Sequence, residues 1–297
     1  MTDTSLVSPA GQAVAAEDTR LLKLRSAGMF SNVNEVVEQL HRAEAGGYRF
    51  DISWRASCYR DPERAGDPWE YYFEPCFPPS GADPGNLPVL PGGVPVACSR
   101  DNIITPRIDD GRCNPLLLPR DRLGAHNLIT RYLRLKPDVQ ALIDRFQAEH
   151  FRPQMVGLHI RGPGRIDGGV PQLRRRFSAS NEVPVEVFFR QVDEALRLLP
   201  EAGIFACSDS SVVISQVQAR YGSRVICWPA LRSAFGEMHA RHPENKGLTF
   251  PPYQLGLDVL CEAMLLSRSD IFVHGNSNVA NFVLCQSQHL LHAYIQA

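Results

Sequence analysis

Apolar positions recur along this chain with two different spacings, and the two spacings alternate through its second half. Short apolar runs predict buried strands, whereas positions spaced i, i+3 and i+7, such as Val185, Phe188 and Val192, predict amphipathic helices. Because strands and helices alternate, we expect a parallel sheet covered by helices. The predicted strands are 155–160, 203–207, 224–228, 270–274 and 289–295, and the predicted helices are 137–149, 184–199, 210–221, 252–267 and 277–286.

The first half of the chain begins with a shorter version of the same pattern. A predicted strand at 21–25 leads through a glycine-containing loop into a predicted helix, for which Ser31 is the expected N-cap and Gly46–Gly47 the expected stop. A further strand at 48–54 completes a βαβ unit. Between 57 and 123, proline, glycine and aromatic residues are frequent and periodicity is poor, so we expect irregular structure there.

These patterns predict an α/β protein of two Rossmann-like domains whose parallel sheets face a cleft. Residues 1–19 are small and polar, and we expect a disordered tail there. The first domain is expected at 20–135 and the second at 136–297. No GxGxxG motif follows an early strand, which disfavours a dinucleotide-dependent redox enzyme.

Composition excludes several classes of protein. The formal net charge is −1, which gives no reason to expect a nucleic-acid partner. The eight cysteines include no CxxC pair, which argues against a zinc site and against a disulfide framework. The N-terminus lacks a basic segment followed by an apolar core, and no apolar stretch approaches the roughly 18 residues of a membrane helix. We therefore expect a cytoplasmic protein with no transmembrane segment; its oligomeric state stays open.

The end of the predicted strand 155–160 is the strongest candidate for a ligand site. His159 and Arg161 close this apolar run, and glycines are frequent from Gly162 to Gly169. In open α/β sheets ligands bind at the carboxyl ends of the strands. Arg161 would be a permanent cation whose forked donors suit phosphate, and the glycines would let the backbone approach a ligand. The alternatives are an interior salt bridge for Arg161 and a satisfied core histidine at His159.

Four segments of the chain carry a family resemblance. They are Phe50–Tyr59 with Phe73–Pro75, Leu135–Phe151 followed by Val156–Arg161, Phe205–Ser210, and Met264–Ser267 with Ser277–Asn278. In this order they resemble the α-1,6-fucosyltransferases of the rhizobial Nod-factor type, within the wider superfamily of GDP-fucose fucosyltransferases. The resemblance runs from about residue 20 to residue 290.

The resemblance implies a metal-independent, inverting glycosyltransferase of GT-B-like fold, without a cofactor, that uses GDP-fucose. The acceptor would be a glycan or lipo-oligosaccharide on the side of the first domain. Arg161 would hold the β-phosphate and stabilise the departing GDP. Asp167 falls where the Nod-factor enzymes have a carboxylate, and it is the expected base. The family often has a second cation directly after the arginine; this chain has Gly162 there, and Arg165 would supply that charge.

The resemblance also implies a set of residues around the donor. Glu262 matches the family position that reads guanine, and it lies one helical turn after Asp258; the alternative is that these carboxylates face solvent or pair with arginine. Asp209 would bind a ribose hydroxyl or cap the following helix. The remaining expected donor-binding residues are Gly28, Asn32, His159, Ser277 and Asn278, of which Ser277 is alternatively only an N-cap.

Two other functions stay open at this point. The same fold could use another nucleotide sugar, in which case Glu262 would not select guanine. The chain could also be a noncatalytic nucleotide-sugar-binding protein, which the glycines at 162 and 169 favour because family members have charged residues there. The proline-rich stretch 75–95 is either an ordered lip for the acceptor or a lid.

Overall fold

Two parallel sheets and the helices packed on them carry the fold. The computed structural model describes residues 18–90, 103–104, 118–161, 183–234, 238 and 249–295. Its strands are β1 (Thr19–Lys23), β2 (Arg49–Ser53), β3 (Met155–His159), β4 (Gly203–Cys207), β5 (Val225–Ile226), β6 (Ile271–His274) and β7 (Leu291–Tyr294). Its α-helices are α1 (Met29–Gly46), α2 (Pro119–Tyr132), α3 (Pro137–His150), α4 (Val185–Leu198), α5 (Ser211–Tyr221), α6 (Pro252–Leu266) and α7 (Asn278–Gln286).

The larger sheet has five parallel strands in the order β5-β4-β3-β6-β7. The order reverses between β3 and β6, and His159 lies directly opposite His274 in this pairing. Asp270 fixes the other end of the pair: the Met155 N–H donates to its carboxylate at 2.7 Å, and the Asp270 N–H donates to the Met155 carbonyl at 2.9 Å. The predicted α/β class is confirmed, and the carboxyl ends of β3 and β6 form the crevice where such sheets bind ligands.

The smaller sheet pairs β1 with β2 in parallel, with Leu21 opposite Asp51. The chain returns to this sheet after the irregular region, because the Leu21 N–H donates to the Pro88 carbonyl at 2.8 Å and the Leu90 N–H to the Leu21 carbonyl at 2.9 Å. This part of the proline-rich stretch is therefore pinned to β1. Residues 91–95 lie outside the described residues, so the question of lip or lid stays open for them.

Most predicted elements of the second half agree with the structure to within one or two residues. Two details of the first half are wrong. Strand β1 begins at Thr19 rather than at residue 21, and α1 is capped by Gly28 rather than by Ser31. The Gly28 carbonyl already accepts the Ser31 N–H at 3.1 Å, so Ser31 lies inside the first turn. The predicted stop is confirmed, since Gly47 ends α1 in the left-handed region at φ 67°.

Helix α2 lies partly within the region predicted to be irregular. Its buried face consists of Arg122, Ala125, Leu128 and Ile129. Arg122 interrupts the apolar periodicity of this face, and for this reason the sequence pattern did not predict α2. Pro119 at the first turn of α2 is the signal that was available.

Side chains alternate between the two faces of the large sheet along its central strands, so each face has its own hydrophobic core. On one face of the large sheet, a cluster that includes Phe188, Val192 and Val213 packs beneath α4 and α5. On the other face, one continuous cluster joins α1, α2 and α3 to α6 and α7, and the rings of Phe30 and Phe282 approach to 4.7 Å between centroids. The two halves of the chain thus share a core. The domain boundary near residue 135 stays a prediction.

No helix in the described ranges is long and apolar enough to cross a membrane.

Strand β3 reaches its position because Gly157 leaves room for the chain that enters β6. A Cβ atom at Gly157 would lie 2.8 Å from the Ser269 hydroxyl oxygen and 3.2 Å from Cδ2 of Leu266. We predict that Gly157→Ala lowers the free energy of unfolding by about 1–3 kcal/mol through overpacking. Guanidinium unfolding followed by tryptophan fluorescence would measure this change.

Gly203→Ala is the matched control in the neighbouring strand. There the added Cβ atom would meet the sulfur of Met155 at 2.9 Å, and this flexible side chain can move aside. An equal loss of stability in both variants would contradict the close packing that we assign to Gly157.

Candidate donor site at the strand ends

His159 and Arg161 lie where β3 leaves the sheet. Loss of hydration lowers the pKa of His159 to about 4; the positive charge of Arg161 adds to this effect and the carboxylate of Asp209 opposes it. At neutral pH the His159 side chain is therefore uncharged and does not add a second positive charge. Arg161 supplies the positive charge at the end of this strand.

Tyr59 connects Arg161 to the first half of the chain. Its buried hydroxyl accepts the Met29 N–H at 3.0 Å, at the start of α1. Burial raises the pKa of Tyr59, and the nearby positive charge of Arg161 opposes that shift. The Gly28 loop, Tyr59 and Arg161 are therefore brought together, although the sequence analysis gave Tyr59 no role in the site. Its place in the segment Phe50–Tyr59 was the available signal.

Asn32 has a different environment from the one its predicted role requires. It is fully buried; its amide oxygen accepts the Arg25 N–H at 3.1 Å, and its amide nitrogen donates to the carbonyls of Ala27 at 3.0 Å and Gly28 at 3.3 Å. Asn32 thus holds the glycine loop in shape. A direct contact between Asn32 and the donor would require these bonds to break. The donor-binding role of Gly28 stays a prediction.

Helix α7 begins at the same crevice, after the end of β6. The Ser277 hydroxyl accepts the Ala280 N–H at 3.0 Å, so Ser277 is an N-cap, as one alternative held. Asn34 of α1 donates to the Asn278 carbonyl at 3.2 Å, and its own amide oxygen is buried with no hydrogen-bond partner. The positive end of the α7 dipole points at the crevice.

Glu262 pairs with Arg232, which is one of the alternatives that the sequence left open. Their side chains meet at 2.6 Å and are 13% and 11% exposed, respectively. Burial raises the pKa of Glu262 to about 8, and the charge of Arg232 opposes the shift. Arg232 also donates to the Ser208 carbonyl at 3.0 Å, so it ties α6 to the loop after β4. The sequence analysis did not identify Arg232.

Asp258 serves the fold rather than the crevice. Its carboxylate accepts the Trp228 indole N–H at 3.0 Å, the Leu231 N–H at 2.8 Å and the Gln254 amide at 2.6 Å. These three donors compensate its burial. Asp258 therefore fixes the chain that follows β5 against α6.

Asp209 lies between the elements just described. Ser210, not Asp209, caps α5, because the Ser210 hydroxyl accepts the Val213 N–H at 3.4 Å. The negative charge of Asp209 raises the pKa of both His159 and Glu262, so its carboxylate lies near these two residues. The capping alternative is thus removed, and ribose binding stays a prediction.

Two buried basic groups lie behind the crevice and were missed from the sequence. Arg122 of α2 is 1% exposed, and its Nε and Nη1 atoms have no hydrogen-bond partner. His274 is fully buried; loss of hydration lowers its pKa to about 3, and the charge of Arg122 contributes to that shift. His274 is therefore uncharged at neutral pH, and Arg122 supplies the positive charge of this pair.

Two predicted residues, Arg165 and Asp167, lie outside the described residues, and their roles stay predictions. Within the described part of the chain, no group of three or more His, Cys, Asp or Glu side chains could hold a metal ion.

Fold and site together define an open parallel α/β protein with a cationic crevice at the switch point of its sheet. The family model for Nodulation protein Z (NodZ) matches residues 112–284, which is more than half of the 297-residue chain. The chain belongs to the NodZ family.

Individual relatives agree with this assignment. Nodulation protein Z of Bradyrhizobium diazoefficiens is 26% identical over 314 residues, which cover 91% of this chain and 81% of that protein. The crystal structure of NodZ α-1,6-fucosyltransferase co-crystallised with GDP has a TM-score of 0.51 at 18% identity, and covers 90% of this chain and 92% of its own. A crystal structure of fucosyltransferase NodZ from Bradyrhizobium gives 0.51 at 20% identity, with 90% and 93% covered. The GT-B-like fold expected from the sequence is confirmed.

The low pKa of His159 predicts how stability depends on pH. The pKa of His159 is about 6.5 in the unfolded chain and about 4 in the folded chain. The free energy of unfolding therefore has its full value above pH 6.5 and decreases as the pH falls toward 4. Between pH 7.5 and pH 5 the wild type should lose about 2 kcal/mol more stability than His159→Gln. Urea unfolding at several pH values would measure the difference.

The control is His41→Gln, at an exposed position of α1. It should keep the pH dependence of the wild type. If His159→Gln also keeps that dependence, His159 is not held neutral in the fold.

Proposed function

We propose that this chain transfers fucose from GDP-fucose to a hydroxyl group of a glycan. The observation that carries the proposal is the position of Arg161 at the carboxyl end of β3, opposite the start of α7 at the switch point of the sheet. Membership of the NodZ family supports it, and so do the solved NodZ structures whose descriptions name GDP and GDP-fucose.

The diphosphate is the part of the donor that this crevice suits best. Arg161 offers a forked, permanently charged donor group, and α7 presents the positive end of its dipole. His159 is neutral, so it contributes a hydrogen bond without adding charge. A preorganised positive field at this point stabilises the negative charge that develops on GDP as the sugar leaves.

The nucleoside would lie toward β4 and α6. Asp209 is expected to accept a ribose hydroxyl, and Glu262 to accept the adjacent N1–H and N2–H groups of guanine. In the absence of ligand, burial raises the pKa of Glu262, and the charge of Arg232 opposes this shift. Two N–H donors would favour the ionised form further, so guanine binding would lower the pKa of Glu262.

In the transfer step the acceptor oxygen forms a bond to the anomeric carbon of fucose. The bond from that carbon to the β-phosphate oxygen breaks, and GDP leaves with the electron pair. The hydroxyl proton passes to a base, for which Asp167 stays the candidate. Attack opposite to the departing GDP inverts the configuration. Arg161 and the α7 dipole would supply the positive charge that a metal ion would otherwise supply, so we propose that the transfer needs no metal. We also propose that the protein is cytoplasmic.

A second candidate function has one observation in its favour. Because Glu262 pairs with Arg232 at 2.6 Å, its carboxylate is already engaged. A relative of the same fold that uses a nucleotide sugar with a different base would have no need of Glu262 for base recognition. Substituting this residue therefore separates the two candidates.

Titration calorimetry with GDP, UDP and ADP in the presence of EDTA tests the proposal. We expect GDP to bind selectively, and Arg161→Ala to weaken it by at least tenfold, because a charge-assisted bidentate contact is lost. Glu262→Ala should reduce the preference for GDP over UDP. Arg197→Ala, at an exposed arginine of α4, is the matched control and should bind GDP as the wild type does.

Binding of UDP in preference to GDP would contradict fucose transfer from GDP-fucose. If GDP binds only in the presence of a divalent cation, the proposal of metal independence is wrong, but the proposal of fucose transfer is not contradicted. If Arg161→Ala binds GDP as tightly as the wild type does, the diphosphate does not bind at the end of β3.

A further inference from the structure

The guanidinium of Arg232 is held in place by the protein itself. Its Nε donates to the Ser208 carbonyl at 3.0 Å, its Nη1 to the Ala230 carbonyl at 3.0 Å and its Nη2 to the Trp228 carbonyl at 3.1 Å. A further bond runs from Nη2 to the Oε1 atom of Glu262 at 2.6 Å. A guanidinium has five N–H donors, so these bonds leave little donor capacity for a ligand. Arg232 therefore orients a neighbouring side chain rather than binding a ligand directly.

Hydrogen bonds place this arginine beside the end of β3. The Ile160 N–H donates to the Cys207 carbonyl at 3.0 Å, so the chain stays paired with β4 as it leaves β3. Ser208 follows Cys207 directly, and it is the Ser208 carbonyl that accepts from Arg232. Arg232 is thus bonded to the chain at the carboxyl end of β4, at the same edge of the sheet as the crevice.

The segment that carries Arg232 is also fixed against α6. The Asp258 carboxylate accepts the Leu231 N–H at 2.8 Å, and Leu231 directly precedes Arg232. Glu262 lies one helical turn after Asp258 on the same helix. Two bonds from neighbouring turns of α6 therefore hold this segment, and the Glu262 carboxylate has a defined position before any ligand binds.

Burial makes the charge of Glu262 depend on Arg232. The side chains of Glu262 and Arg232 are 13% and 11% exposed, so water screens the pair weakly. Burial raises the pKa of Glu262, and the charge of Arg232 opposes this shift. The carboxylates of Asp258 and Asp209 raise the pKa further. An ionised carboxylate only accepts hydrogen bonds, whereas a protonated one also donates, so Arg232 favours the form that only accepts.

Guanine matches an acceptor of this kind. It presents two neighbouring donors, the N1–H and the 2-amino group, and one carboxylate can accept from both. Arg232 uses one of the roughly four lone-pair sites of the Glu262 carboxylate, so acceptor capacity remains for the base. Hypoxanthine lacks the 2-amino group, and xanthine has a carbonyl in its place. Both bases would therefore bind less well than guanine.

We infer that Arg232 is a positioning residue for the choice of nucleotide: by binding Oε1 of Glu262 and keeping this carboxylate ionised, it makes Glu262 an acceptor for the two donors of guanine. The inference rests on the proposed function and names the residue on which its selection of a guanine nucleotide depends. The ion pair between Arg232 and Glu262 then prepares the base site instead of blocking it.

Calorimetry with GDP and with inosine diphosphate (IDP) tests the inference, because the two ligands differ only in the 2-amino group. We expect the wild type to bind GDP at least about tenfold more tightly than IDP, since IDP leaves a buried acceptor without its donor. In Arg232→Met the affinity for GDP should fall to that for IDP. A variant that only loosened the fold would weaken both ligands alike and keep their ratio.

Arg268→Met is the matched control. Arg268 also pairs with a carboxylate, that of Asp144 at 2.6 Å, and its side chain is 21% exposed. It precedes β6 and so lies at the opposite edge of the sheet from the crevice. This variant should keep the GDP-to-IDP ratio of the wild type. Arg232→Lys keeps the charge but not the fork of donors, so its ratio should be intermediate.

Glu262→Gln provides a second test that does not depend on the folding of Arg232→Met. Arg232 would hold the amide oxygen of the new side chain, which turns its N–H₂ group toward the base. An amide donor suits the 2-carbonyl of xanthine and opposes the 2-amino group of guanine. We therefore expect the affinity for xanthosine diphosphate relative to GDP to rise by at least about tenfold.

Three results would overturn the inference. They are equal affinities of the wild type for GDP and IDP, an unchanged GDP-to-IDP ratio in Arg232→Met, and an unchanged ratio of xanthosine diphosphate to GDP in Glu262→Gln.

Failure of this inference and failure of the proposed function can be told apart. A preference for GDP that disappears in Arg232→Met, in a wild type that transfers no fucose from GDP-fucose to any glycan, would leave the role of Arg232 standing and remove the proposed function. Fucose transfer by a wild type whose GDP-to-IDP ratio equals that of Arg232→Met would do the opposite.

Discussion

The parallel pairing of β3 with β6 is the constraint on which the candidate site depends. Because His159 lies opposite His274, the chain leaves both strands at the same edge of the sheet, where Arg161 follows β3 and α7 follows β6. The bonds between Met155 and Asp270 and the burial of both faces of the sheet hold this register. A slip by one residue would exchange the two faces of β3 and remove Arg161 from the crevice.

Burial then determines which groups at the crevice carry charge. Lost hydration keeps His159 and His274 neutral at physiological pH and raises the pKa of Glu262, a shift that the charge of Arg232 opposes. Arg161 and Arg232 retain their charge because a guanidinium does not lose its proton in this range. Because Arg232 is paired with Glu262, Arg161 supplies the positive charge at the end of β3, which suits an anionic donor.

The sequence predicted the second half of the fold well, because each strand and helix there has an uninterrupted apolar period. It predicted the first half less well, where Arg122 breaks the buried face of α2 and where ring contacts such as Trp69 on Phe73, at 4.3 Å, replace periodic packing. At the candidate site, Arg161 could be proposed from the sequence, because a cation that directly follows an apolar strand is visible within a single segment. Arg232 was not, since it pairs with Glu262, which is far away in the chain. Tyr59 lies in a segment that carries the family resemblance, but its bond to the Met29 N–H depends on the tertiary fold. The burial of Asn32 was not predicted, because it depends on tertiary contacts that no local pattern records.

A crystal structure of the chain with GDP would test the central claim most directly, because it locates the diphosphate without reference to activity. The account predicts that the β-phosphate lies within hydrogen-bond distance of the Arg161 guanidinium, against the first turn of α7. A diphosphate bound elsewhere, with Arg161 facing solvent or paired with a carboxylate of the protein, would contradict it.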